Sequence, residues 1–195
     1  MTSPLAQPMP LNALLPRLLL IALAYYLSGR VGLTLSSYGS QVTLIWPPTG
    51  IALFGLLAWG LRIWPAIWVA AWLVNLHMDT SPTAALVIAT GNTLGPVLAV
   101  HLLHRLDFNR DFRGARDVFL YIAIAALAGM AINASIGTAA LVVNGVLPLA
   151  ITNEVWLPWW LGDALGAMLV GPALLTLLPP RPGSLPGHLM SSREQ

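Results

Sequence analysis

Six apolar stretches follow one another between Leu14 and Leu178, each at or near the roughly 20 residues an α-helix needs to cross a bilayer. In hydrocarbon there is no water to satisfy backbone N–H and C=O groups, so a chain of this kind must form helices that pair those groups internally. Composition points the same way. Hydrophobic residues make up 57% of the 195, charged residues only 8%, and the mean hydropathy is +0.76. A water-exposed surface ordinarily needs about a quarter of its residues charged. The expected fold is an all-α integral membrane protein, a bundle of about six transmembrane helices.

The stretches run over Leu14–Leu35, Trp46–Leu61, Arg62–Met78, Pro82–His104, Asp117–Val143 and Val155–Leu178. The second and third are short, reaching only about 24 Å, so Ser36–Ile45 is expected to dip into the membrane as a re-entrant turn. Pro47, Pro48, Pro65, Pro82 and Pro158 are expected in first helical turns, where a missing N–H costs little. The fifth stretch is either one tilted helix or two short ones broken near Asn133–Gly137. Residues 1–13 read as an N-terminal cytoplasmic segment, 14–178 as the membrane domain, and the Pro/Gly/Ser-rich 179–195 as a cytoplasmic tail or linker.

Orientation follows from arginine, since loops on the cytoplasmic side collect positive charge. The connection Arg105–Arg116 holds four arginines in twelve residues. Placing it inside puts eight of the nine arginines inside, with Arg30 alone toward the outer face. A bacterial cytoplasmic (inner) membrane protein, multi-pass and with both termini cytoplasmic, is the expected arrangement. The net charge of +2 comes from these loop arginines, not from a basic surface that could track phosphates, so nucleic acid is not an expected partner. The chain has no cysteine, hence no disulfide, thiolate metal site or cysteine nucleophile.

The informative residues are those that hydrocarbon disfavours: Arg30, Asn75, Asn92, Asn133 and Asp163. An ionisable group at the bilayer centre costs about 2.5–3.5 kcal/mol on insertion scales, so it is expected to face a partner or a wet cavity. Helix rise places Asp163 about 12 Å and Asn92 about 15 Å below the outer surface, with Arg30 and Asn133 about 24 Å up from the inner one. Trp46, Trp159 and Trp160 fall in the same outer layer. If the helices converge there, these eight residues would line an outward-opening, ligand-binding pocket with aromatic walls. The bland alternative is that Asn and Asp glue helices together by hydrogen bonds. Arg30 is the intramembrane cation available to pair with Asp163.

Trp159-Trp160 suits either an interfacial belt or stacking against a cationic or planar ligand. Trp64, Trp68 and Trp72 recur every four residues and read as packing or a lipid-facing stripe. His77 with Asp79, and His101 with His104, offer two ligands without a third, so no metal site is expected. No catalytic set is apparent, Asp163 and Glu154 lying about 13 Å apart along a helix, and no cofactor is identified. Gly91-x-x-x-Gly95 and Gly162-x-x-x-Gly166 carry the small-residue spacing of close helix packing. They are read as internal seams, a homodimer contact being the other use.

The motifs Tyr25-Tyr26-Leu27-Ser28-Gly29-Arg30, Ile45-Trp46-Pro47-Pro48-Thr49-Gly50-Ile51-Ala52-Leu53, Gly91-Asn92 and Trp159-Trp160-Leu161-Gly162-Asp163-Ala164-Leu165-Gly166, with Asn75, occur in this order. In this they resemble the first-described bacterial membrane-associated sensor domain, the MASE type, over about residues 18 to 178. The resemblance implies a membrane input module that senses an unidentified small-molecule ligand or a membrane-derived signal and relays it to a cytoplasmic signalling output, of histidine kinase or diguanylate cyclase type. It brings no catalytic residues. Members usually continue into further membrane segments and an output domain, whereas this sequence ends in a short tail, as a fragment would or as a relative acting through a partner. The rival reading, from size and an outward pocket, is the substrate-binding subunit of a small-molecule transporter.

Overall fold

A computed structural model describes residues 10–34, 45–77 and 81–179. The described residues form helices and turns with no strand. Six helical units follow the six apolar stretches: α1 (Leu11–Thr34), α2 (Pro47–Trp59), α3 (Trp64–Asn75), α4 (Pro82–Arg105), α5 (Ala115–Val143) and α6 (Thr152–Leu175). Helices α1, α4 and α5 are long and apolar enough to cross a membrane by themselves. At 13 and 12 residues, α2 and α3 extend only about 20 and 18 Å. The re-entrant turn expected at Ser36–Ile45 lies almost wholly outside the described residues, as does Asp79.

Prolines 47, 48, 65 and 82 do open their helices. Pro158 does not. A single 3-10 turn at Leu149–Ile151 starts α6 early, at Thr152, and leaves Pro158 and Pro172 inside the helix. Helix α5 is one continuous rod through Asn133–Gly137. Its irregularity sits nearer the start, where Tyr121–Gly129 winds as a π-helix between two α-helical ends.

Helix α2 is the buried axis of the bundle, with α1, α4 and α6 packed around it and α5 against α4 and α6. Nine of its thirteen residues are buried, from Pro48 through Leu57 except Phe54. Gly60, at φ +88°, turns the chain from α2 into a 3-10 turn and α3, a left-handed geometry that glycine adopts without strain. Helix α1 contributes one stripe to the core, Ile21, Tyr25, Gly29 and Gly32, while Leu19, Leu23, Leu27 and Val31 on its other side are each more than half exposed. So many exposed large aliphatics fit a surface solvated by lipid rather than water.

Both small-residue spacings are internal seams. A Cβ on Gly91 would meet Ile136 of α5 at 3.0 Å, and one on Gly95 would meet the Gly129 carbonyl at 2.5 Å. Gly166 lies directly against the Trp46 carbonyl at the entry to α2. At the opposite end Tyr121 of α5 donates its hydroxyl to the Ala167 carbonyl of α6 at 2.8 Å, over Gly171, and stacks on Phe108. Replacing Tyr121 by Phe keeps the ring and strands that carbonyl lone pair. The expected cost is about 1 kcal/mol, read as a fall in melting temperature of about 2–4 °C for a chain of this size.

Candidate functional site

Asp163, the twelfth residue of α6, is fully buried, about 17 Å along the helix from Thr152. At that level α2 begins. The Trp46 N–H donates to the Gly162 carbonyl at 2.9 Å, so the entry to α2 lies against the middle of α6, its backbone covered by protein as membrane depth requires. Pro47 and Pro48 then start the helix, and Thr49 in the first turn donates its hydroxyl to Asp163 Oδ1 at 2.5 Å. The second carboxylate oxygen accepts from the Asn133 amide of α5 at 2.6 Å. The Trp159 indole N–H, one turn back on α6, is a third donor to the carboxylate. The start of α2 adds the partial positive charge of a helix N-terminus, which favours an anion there.

A second group adjoins the first. The Tyr25 hydroxyl of α1, 1% exposed, lies beside the Trp46 indole, the Asn92 side chain of α4 and Asp163. Tyr25, Trp46, Thr49, Asn92, Asn133, Trp159 and Asp163 thus form one network drawn from five helices. Its polar centre is buried, with Thr49 3% exposed, Asn92 5%, Asn133 1% and Asp163 0%, while Trp46 and Trp159 at its edge are partly exposed. Within it the Oδ1 atoms of Asn92 and Asn133 are buried with no hydrogen-bond partner.

Of the eight residues expected at the site, Trp46, Asn92, Asn133, Trp159 and Asp163 come together. Arg30, Asn75 and Trp160 do not donate to the carboxylate. Arg30 stands five residues beyond Tyr25, about 140° around α1 from that residue's inward face, and no ion pair joins it to Asp163; the neutral donors of Thr49, Asn133 and Trp159 hold the acid instead. Asn75 ends α3, its amide donating back to the Ala71 carbonyl. The adjacent tryptophans split: Trp159 packs its ring on Gly137 and points to Asp163, whereas Trp160 stacks on Trp156 and donates to the Leu127 carbonyl of the π-helical stretch at 2.9 Å. Trp68 and Trp72 stack, Trp64 is half exposed, and Trp64 and Trp68 line an open groove of about 290 Å³ with Thr90, Thr93, Leu94 and Val97. His77 turns back on the Leu73 carbonyl, and among the described residues no three acidic, histidine or cysteine side chains form a metal-binding group.

Sequence reasoning passed over Thr49 and Tyr25. Both sit in the motifs that carry the resemblance, but a threonine or tyrosine in an apolar span is tolerated anywhere by hydrophobicity alone. The usable signal was positional: a hydroxyl just after Pro-Pro, in a helix too short to span.

The motifs that build the network extend through most of the chain, and the MASE1 family model matches residues 17–194. The chain belongs to the MASE1 family. It is therefore a membrane-associated sensor domain, a sensory rather than a catalytic family. No curated protein and no solved structure matches it.

Proposed function

We propose that this MASE1 domain is a sensory input module whose signal is read at the Asp163 network and relayed through α2 and α6 to a cytoplasmic output. The observation that carries this reading is the placement of α2, a rigid helix held at both ends by other elements. Its first turn is tied to Asp163 of α6. At its last turn the Ala58 carbonyl accepts from the guanidinium of Arg110, in the arginine-rich connection between α4 and α5, at 3.3 Å. An acid at the positive end and a cation at the negative end both favour the helix dipole, by about 0.3–1 kcal/mol each and up to about 2 when partly buried. A change of charge or hydrogen bonding at Asp163 therefore alters what positions α2, and α2 ends on the face where positive charge collects.

The same connection is anchored on α6 by aromatic packing. Phe108 and Phe112 flank Tyr121, whose hydroxyl is bonded to α6. Asp117 holds the Asn109 backbone N–H, and Arg116 bonds the Leu106 carbonyl at 2.7 Å. With this connection on the cytoplasmic side of the inner membrane, as positive charge directs, the network lies toward the outer half and both chain ends face the cytoplasm. A relay of this kind needs a ligand with different affinities for two helix arrangements.

The test joins residues 1–195 to a diguanylate cyclase reporter in cells and measures output for Asp163→Asn and Arg110→Gln beside a lipid-facing Leu23→Ala control. Both network variants are expected to shift output at least several-fold in folded, membrane-inserted protein, with the control unchanged. Output equal to the parent in both variants would remove this reading.

A further inference from the structure

The network is unbalanced in a particular way. The Thr49 hydroxyl and the Asn133 amide donate to Asp163. Without any hydrogen-bond partner are the Oδ1 atoms of Asn92 and Asn133, each in a side chain at least nine-tenths buried. Turning the Asn92 amide would only exchange a stranded oxygen for a stranded nitrogen, and Asn133 is fixed because its NH₂ must face the carboxylate. A buried acceptor without a partner costs about 1–3 kcal/mol, and the network carries two of them.

Charge is unbalanced in the same sense. Both oxygens of Asp163 accept hydrogen bonds from neutral side chains, so whenever the acid is ionised its charge has no ion-pair partner. Arg110–Asp111 and Arg116–Asp117, in and just after the arginine-rich connection, are ion pairs that do form. The N-terminus of α2 offsets only about half a charge, and two of its first positions are prolines with no N–H to offer. An uncompensated charge in a low-dielectric interior is costly.

We propose that the Asn92, Asn133 and Asp163 oxygens form a site for a small monovalent cation of sodium size. Oxygen donors without nitrogen or sulfur suit a hard cation. One carboxylate neutralises one charge, so a divalent ion would leave the interior net positive. The burial of Asn92, Asn133 and Asp163 favours a small ion over an organic ammonium. Asn133 packs against Gly91 and Gly95 of α4, the helix that carries Asn92, so the two free oxygens come from neighbouring faces. This inference rests on taking the network as the sensing site and supplies the chemistry of what it senses.

The test uses the purified full chain in lipid nanodiscs, with sodium, potassium and choline chloride at one ionic strength, read by intrinsic tryptophan fluorescence and by melting temperature. Sodium is expected to give a saturable response and to raise the melting temperature by about 5–10 °C over choline at a concentration about a hundredfold above its Kd. Asn92→Leu, which removes one free oxygen and fills its space, is expected to raise the half-saturating sodium concentration at least tenfold while melting within a few degrees of the parent in choline. Asp163→Asn is expected to abolish the response. Equal responses to all three salts, or an undiminished sodium response in Asn92→Leu, overturn the cation site. Reporter output that depends on Asp163 but not on sodium would sink the cation and leave the sensor standing. Sodium binding with output indifferent to Asp163 would do the reverse.

Discussion

Gly166→Ala is expected to prevent the bundle from closing, with a loss of about 4 kcal/mol or more and, where any folded protein survives, a melting temperature lower by about 8–16 °C. A Cβ at residue 166 falls on the Trp46 carbonyl, and one at Gly50 would lie 2.5 Å from the Gly166 carbonyl and 2.6 Å from the Val170 Cβ. The approach is backbone to backbone, so no side chain can rotate away. Overpacking of this kind costs about 1–3 kcal/mol by itself. Pushing α2 outward also breaks the Trp46 N–H bond to Gly162 and the Thr49 bond to Asp163, each leaving buried polar groups unsatisfied at about 1–3 kcal/mol. The temperature range follows from about 2–4 °C per kcal/mol for a chain of this size. Gly114→Ala is the matched control, because nothing lies within 4 Å of its Cβ position and its φ of −157° is open to any residue. If Gly166→Ala and Gly114→Ala melt alike in detergent, the α2–α6 approach is not as described.

Asp163→Ala is expected to cost about 3–5 kcal/mol, because it strands three donors at once. The Thr49 hydroxyl, the Asn133 amide and the Trp159 indole would all face a small apolar void. Each buried unsatisfied donor is worth about 1–3 kcal/mol, and the sum falls short of additivity because the hydroxyl can turn to a backbone carbonyl. Asp163→Asn keeps the volume and one acceptor, so it is expected to fold with a smaller loss. Thermal melting and the yield of monodisperse protein measure both variants. An alanine variant that melts within about 1 °C of the parent would show that the carboxylate is not what ties α2, α5 and α6 together.

The helices were legible in the sequence because lipid leaves a chain little choice. Apolar length sets where spans run, prolines 47, 65 and 82 mark their starts, and the two glycine spacings name faces that must meet. Pro158 shows the limit of that reading: local proline chemistry suits a first turn, yet after the 3-10 turn the helix starts at Thr152, three residues before the expected Val155 and six before Pro158. The π-helical winding at Tyr121–Gly129 had no sequence signal either, since its residues are apolar and uniform.

For the candidate site, sequence picked out the disfavoured polar residues, and five of the eight share one network. What it could not supply was azimuth. Arg30 and Asp163 looked like natural partners by charge and depth, but Arg30 sits around the side of α1 away from Tyr25. Trp159 and Trp160 looked alike, yet adjacent helical residues point about 100° apart, and only one faces the acid.

Hydrophobicity along the chain determined by itself that this protein lives in a membrane as helices, and its motif order determined the MASE1 family. Only the tertiary structure decided that α2 begins inside the bundle against Gly162 and Gly166, and therefore which donors meet at Asp163. The physical reason is that burial in lipid is a property of each segment, whereas a hydrogen bond between helices depends on how far each has turned and slid against its neighbour.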